Sequence, residues 1–158
     1  MTQPIEKTLN VPLRPQQAFD LFTKNLDKWW PLESHSLSAG EGELPKSVNV
    51  DRREGGYVTE TRQDGTEGRW ATITKWDAGR ALSLSWYVGR SEEEATDLEV
   101  VFIPTDTGTR IELTHSGFER LADAATAMAQ NYKTGWDLVF VKHFGDYCLT
   151  KINTPHSA

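Results

Sequence analysis

The chain has 158 residues, 37% hydrophobic and 25% charged, a size and composition typical of one folded globular domain. No apolar run approaches the roughly 20 residues that a membrane-spanning helix needs, so we expect no membrane span. The net charge of −6 comes without a block of lysine or arginine, which makes nucleic acid and anionic lipid surfaces poor partners.

The first residues, MTQPIEK, contain no apolar stretch behind a basic one, so we expect no secretory signal and a cytoplasmic location. Cys148 is the only cysteine, which excludes internal disulfides and cysteine-rich zinc sites. His35, His115 and His143 lack the spacing of metal ligands. We therefore predict neither a metal nor another cofactor, and a single domain over residues 1–158.

The chain begins with a predicted strand and a short helix. Ile5, Leu9 and Val11 recur at period two, which indicates a strand closed by Pro12. Pro15 then opens an apolar stripe at helical spacing, made of Ala18, Phe19, Leu21, Phe22 and Leu26. The helical region ends at Trp29-Trp30-Pro31, because a proline biases the residue before it away from helix.

The central region alternates β-branched and aromatic residues with turn signals, which predicts about six hairpin-linked strands. They are Val48–Arg52, Tyr57–Arg62, Arg69–Trp76, Ala81–Tyr87, Ala95–Ile103 and Arg110–His115. Short connections favour an antiparallel meander. Gly55-Gly56 indicates a bend or a close approach of the backbone. An edge strand also allows pairing into a homodimer.

Helical spacing returns after Gly117, weakly through residues 118–130 and then strongly. One face carries Tyr132, Trp136, Val139, Phe140, His143, Phe144 and Tyr147. A helix of about 20 residues would be roughly 30 Å long, enough to cross the sheet. The pattern predicts an α+β domain in which a curved antiparallel sheet of about seven strands wraps around a long C-terminal helix.

Strand parity assigns the residues expected to face that helix. They are Leu82, Leu84 and Trp86, then Leu98, Val100 and Phe102, then Ile111, Leu113 and His115. Because the chain has six tryptophans, we interpret the enclosed space as an aromatic cavity for a small apolar or aromatic ligand. The alternative is that these rings form an ordinary core.

Two polar residues and one loop are candidates for a role at the cavity. His115 would bind a polar ligand group or exchange a proton, or else fix the turn after its strand. Glu60 would enter the pocket as an acid or base, or lie on the solvated face of the sheet. Trp29 and Trp30 with Ser34-His35-Ser36 and Ala39–Gly42 form either a mobile lid or a packed surface loop.

Several segments together resemble a known family, the bacterial branch related to the C-terminal domain of the activator of the heat-shock-protein ATPase, within the START-like SRPBCC superfamily. The segments are Ala18–Phe22, Trp29–Leu32, Gly55-Gly56, Glu60, Asp64-Gly65, Arg69-Trp70, Lys75–Asp77, Leu82–Trp86, Thr109–Phe118 and Gly135–Asp137. The resemblance covers nearly the whole chain and implies the helix-grip fold.

The resemblance also implies a ligand site in the cavity between sheet and long helix. By position, this site carries over to Trp30, Tyr57, Glu60, Trp70, Trp86, Phe102, His115, Trp136, Phe140 and Phe144. No catalytic residue is assigned. Members of the superfamily include carriers of hydrophobic ligands, polyketide cyclases and a co-chaperone, so fold alone does not select the function.

Three functions follow as hypotheses from the sequence. The first is binding of a small hydrophobic or aromatic molecule in the cavity. The second is a cyclase or aromatase in which His115 or Glu60 moves protons on a polyketide-like substrate. The third is a protein-interaction module with a chaperone partner, which rests on the resemblance alone.

Overall fold

The computed structural model describes residues 3–152, so residues 1–2 and 153–158 of the predicted domain lie outside it. Its strands are β1 (Ile5–Val11), β2 (Ser47–Val50), β3 (Tyr57–Thr61), β4 (Glu67–Asp77), β5 (Ala81–Trp86), β6 (Thr96–Thr105) and β7 (Gly108–Ser116). They form one antiparallel sheet in the order β1-β7-β6-β5-β4-β3-β2, curled into a half-barrel. The predicted strand ends differ from these by at most two residues.

Two short helices, α1 (Pro15–Lys24) and α2 (Leu26–Trp29), follow β1. Pro15 is at the start of α1, where its missing N–H costs no hydrogen bond, and Ala18, Phe19 and Phe22 are buried. Phe19 and Phe22 both pack edge-on against Phe102 of β6. The two helices thus pack against the sheet, α1 on β6 and β7 and α2 on β2.

A long helix over residues 125–152 crosses the concave face of the sheet. It comprises α3 (Ala125–Trp136), a π-helical segment (Asp137–Phe144) and α4 (Gly145–Ile152), and a 3-10 segment, Phe118–Ala124, precedes it. Four of its buried side chains recur at steps of four residues, namely Trp136, Phe140, Phe144 and Cys148. Such steps drift around an α-helix of 3.6 residues per turn. The wider turn of the π-helical segment offsets part of this drift and keeps the stripe on the sheet.

The predicted inward faces of β5, β6 and β7 are confirmed, because all nine residues are buried. Register fixes how these faces meet: Leu98 pairs with His115, and His115 pairs with Ile5 on the other side. A slip by one residue would turn each of these side chains to solvent. The sequence pattern and the strand pairing therefore specify the same arrangement.

The Gly55-Gly56 turn before β3 is a close approach of the backbone, as predicted. Gly55 has a φ of 85°, and a Cβ on Gly56 would collide with the carbonyl oxygen of Asp51. Across residues 3–152, no helix is both long and apolar enough to span a bilayer.

Candidate functional site

Four indole rings form the centre of the concave face. Trp30 contacts the other three, with ring centroids 5.1 Å from Trp70, 5.8 Å from Trp86 and 5.8 Å from Trp136. These residues come from the position just after α2, from β4, from β5 and from α3. The fold thus brings together four tryptophans that are far apart in the chain.

Beside this cluster lies an inner void of only about 20 Å³, between the sheet and α1, α2 and α3. Its lining is apolar apart from Thr23 and includes Trp30, Trp86 and Trp136. Pockets for drug-sized ligands typically measure 300–1,000 Å³. The aromatic cavity predicted from the sequence is therefore largely filled by its own walls.

A second space, the outer cleft, opens between α3 and the segment after α2 and has a volume of about 200 Å³. Its lining residues are Trp30, His35, Met128, Asn131, Tyr132, Gly135, Trp136 and Val139. Trp30 and Trp136 line both spaces. These two indoles therefore form the partition between the outer cleft and the inner void.

The indole N–H groups show which walls are fixed. Trp70 donates to Oε1 of Glu60 at 2.9 Å, Trp86 to the Tyr132 hydroxyl at 3.1 Å and Trp136 to Nδ1 of His115 at 3.0 Å. Each of these bonds ties an indole to a different element of the fold. Trp30 instead donates to the carbonyl of His35, five residues ahead in its own segment, at 2.7 Å. Trp30 is thus the one of these four indoles whose N–H is not bonded to the sheet or to the long helix.

Glu60 is fully buried and its carboxylate accepts four hydrogen bonds. Besides the Trp70 indole, the donors are the backbone N–H of Leu37 at 2.7 Å and of Ser38 at 2.8 Å, and the Ser38 hydroxyl at 2.5 Å. Burial raises the pKa of Glu60, but the hydrogen bonds together outweigh it, so the pKa lies below its ordinary value. Glu60 is an ionised anchor and not a free acid or base.

This anchor also decides between the two interpretations of the segment after α2. Leu37 and Ser38 begin the 3-10 turn at Ser38–Glu41, and Trp29, Trp30 and Ser38 are buried. A segment held by a buried carboxylate is a packed loop, the second of the predicted alternatives. Glu60 fastens this loop to β3.

His115 is buried and both of its ring nitrogens are engaged within the protein. The Trp136 indole can only donate, so Nδ1 accepts and Nε2 carries the proton. Nε2 then donates to the Thr96 hydroxyl at 2.6 Å, and that hydroxyl donates to the carbonyl of Trp86. Burial lowers the pKa of His115 to about 3. At neutral pH this histidine is a neutral structural link.

The other predicted site residues lie away from both spaces. Phe102, Phe140 and Phe144 pack with Phe22 in the adjoining core. Tyr57 lies on the opposite face of β3 from Glu60, with the Arg69 guanidinium 3.7 Å from its ring centroid. Period two along the strand puts residues 57 and 60 on opposite faces, so the two belong to different surfaces.

Sequence reasoning did not select Met128, Asn131, Tyr132 and Gly135 as site residues, although all four line the outer cleft. Tyr132 was assigned to the buried face of the helix. Gly135 could have been selected because it lies within a helix, where glycine lowers helix stability by about 1 kcal/mol relative to alanine and so indicates a special role. The segment after α2 forms the other side of the cleft, and the sequence pattern of the helix does not indicate that this segment lies next to it.

Comparison with known proteins identifies the family. The family model of activator of Hsp90 ATPase homolog 1-like proteins matches residues 12–147. No curated protein matches the chain significantly.

Solved structures share the fold over almost the whole chain. Protein MLL2253 from Mesorhizobium loti is 14% identical with a TM-score of 0.68, covering 96% of this chain and 100% of its own. An AHSA1-like protein from Aeromonas hydrophila is 16% identical with a TM-score of 0.64, covering 99% of each. Txn09, an anthrahydroquino-γ-pyrone synthase complexed with SUM, is 25% identical with a TM-score of 0.62, covering 92% and 96%.

Proposed function

The chain belongs to the family of activator of Hsp90 ATPase homolog 1-like proteins, and on that premise we propose that it binds a small hydrophobic or aromatic molecule between sheet and C-terminal helix. The observation that carries the proposal is the partition of Trp30 and Trp136, which separates an apolar outer cleft from an apolar inner void. A ligand would enter at the cleft and displace Trp30, joining the two spaces.

The size of the cleft limits the first ligand to bind. A cavity of about 150 Å³ is known to hold benzene in an engineered protein. The cleft, at about 200 Å³, matches a compound of one or two rings. A larger compound needs the inner void as well, which requires the Trp30 side chain to rotate and give up its bond to the His35 carbonyl, while the loop stays anchored at Leu37 and Ser38.

Gly135→Leu should block the cleft without harming the fold. A Cβ on Gly135 has no heavy atom within 4 Å, so the new side chain grows into open space. Leucine also favours helix over glycine by roughly 0.8 kcal/mol. We expect at least a tenfold loss of affinity for tetralin, followed by tryptophan fluorescence, with equal or higher stability in urea.

The matched control is Thr134→Leu, which adds the same side chain to the neighbouring exposed position outside the cleft. This variant should bind tetralin like the unmodified protein. Equal affinity in all three proteins would place the ligand elsewhere. Absence of saturable binding to the unmodified protein, across one- and two-ring hydrocarbons, would refute ligand binding altogether.

A cyclase-type enzyme in the same cleft is the second candidate, and His35 favours it. His35 lines the cleft, and its Nδ1 lies 2.7 Å from the Ser34 hydroxyl, while no hydrogen bond among residues 3–152 involves Nε2. Burial is the main reason that the pKa of His35 lies below its ordinary value, which favours the neutral ring. A neutral imidazole has a nitrogen lone pair that can accept a proton from a substrate. The test is whether the unmodified protein closes a ring in a poly-β-ketone thioester. Loss of this reaction in His35→Gln, with the affinity for the substrate unchanged, would support catalysis. If the unmodified protein closes no ring, only ligand binding remains as a function.

Docking of a chaperone partner has less support from the surface. Among the described residues, the exposed large hydrophobic side chains are Leu44, on the loop before β2, and Val141 and Leu149, on the long helix. Single exposed apolar residues are common on soluble domains. They do not favour a protein partner over a small ligand.

A further inference from the structure

The Tyr132 hydroxyl lies at the boundary between the outer cleft and the inner void. Tyr132 lines the cleft, and its oxygen is 3.1 Å from Nε1 of Trp86, which lines the void. Its ring packs 4.7 Å from His115 and 6.2 Å from Trp136, centroid to centroid. The hydroxyl therefore lies beside a wall of the void, where a ligand that displaces Trp30 would meet it.

The hydroxyl has a proton to donate. Because an indole N–H can only donate, the Tyr132 oxygen acts as acceptor toward Trp86. Among residues 3–152, no acceptor for the Tyr132 proton lies within hydrogen-bonding distance. Burial raises the pKa of Tyr132, so the phenol keeps that proton at neutral pH.

The neighbouring groups do not compete for this role. The Glu60 carboxylate is saturated by four donors, and both nitrogens of His115 are engaged. The void itself offers only Thr23, whose hydroxyl donates to the carbonyl of Phe19 and accepts from Arg52. Asn131, whose amide also has N–H donors, lines the cleft at an exposed position. Tyr132 is thus the donor that lies beside the wall of the void.

We propose that Tyr132 selects aromatic ligands that carry a carbonyl oxygen, by donating its hydroxyl proton to that oxygen while the aromatic rings pack between Trp30 and Trp136. The inference rests on the proposed function and names the ligand class, namely one- or two-ring aryl ketones. A hydrocarbon of the same shape fills the same space but has no acceptor for the Tyr132 hydroxyl. It therefore binds without this hydrogen bond and with lower affinity.

The test compares 1-tetralone with tetralin, which differ by the carbonyl, in the unmodified protein and in Tyr132→Phe. We expect the unmodified protein to bind 1-tetralone about tenfold more tightly than tetralin, the equivalent of one good hydrogen bond. Tyr132→Phe should remove this preference, because 1-tetralone loses its hydrogen bond in addition to whatever the loss of the Trp86 anchor costs both compounds. The ratio of the two affinities is therefore the readout, since a change in the walls weakens both compounds and only the lost hydrogen bond separates them.

Infrared spectroscopy gives a readout that a structural role of Tyr132 would not change. The carbonyl stretch of bound 1-tetralone should lie at lower frequency in the unmodified protein than in Tyr132→Phe, since a hydrogen bond weakens the C=O bond. Equal affinity for the two compounds, or an equal carbonyl frequency in the two proteins, overturns the inference and leaves ligand binding standing. If neither compound binds, the inference falls together with the proposed function.

Discussion

Replacing Glu60 with glutamine is expected to lower the free energy of unfolding by about 3 kcal/mol, the value of one to two hydrogen bonds to a buried charge. The amide keeps one acceptor oxygen, but its NH2 group must face the donors on the other side. Ser38 can rotate its hydroxyl to accept, whereas the backbone N–H groups of Leu37 and Ser38 and the Trp70 indole cannot. At least one buried N–H is left facing another donor.

Urea unfolding measures the global effect, and amide hydrogen exchange measures the local one. The amides of Leu37 and Ser38 donate only to Glu60, so their exchange should accelerate most. Glu41→Gln is the matched control: it makes the same chemical change at an exposed carboxylate whose ion pair with Arg62 spans 3.5 Å. Surface pairs contribute about 0–1 kcal/mol. Equal losses in the two variants would contradict the anchoring role of Glu60.

Acidification from pH 7 to pH 5 is expected to cost about 2 kcal/mol of stability through His115 alone. Its pKa is about 3 in the folded protein and about 6.5 when unfolded. Between these values the unfolded chain binds a proton that the folded protein does not. The contribution is therefore full above pH 6.5 and is lost progressively as the pH falls toward 3.

The variant His115→Asn isolates this effect, because its amide oxygen can still accept from Trp136 but the side chain does not titrate. It should be less stable than the unmodified protein at pH 7 and show a smaller loss on going to pH 5. The ring Hε1 signal of His115 in NMR spectra should not titrate between pH 7 and pH 5. A midpoint near 6.5 would show that Nδ1 does not hold the Trp136 bond.

Both predictions concern groups that the sequence presented as candidates for chemistry. Glu60 and His115 are polar residues on inward faces, and such residues are often functional. The structure shows instead that each is saturated by partners within the protein. Their role at the site is to fix Trp70, Trp136 and the loop at Leu37 and Ser38. The Trp30 indole is bonded only within its own segment, so its side chain is the one that a ligand would displace.

The sequence by itself determined the sheet, the long helix and the inward faces, because period two and helical spacing are local properties of the chain. It also identified Trp30, Trp86 and Trp136, which line the inner void. Only the tertiary structure decided which partner each indole N–H finds, since Trp86 and Tyr132 are 46 residues apart and Trp136 and His115 are 21 apart. It also decided how much space remains, because volume depends on how side chains from α2, β5 and α3 interdigitate, and strand parity does not encode this.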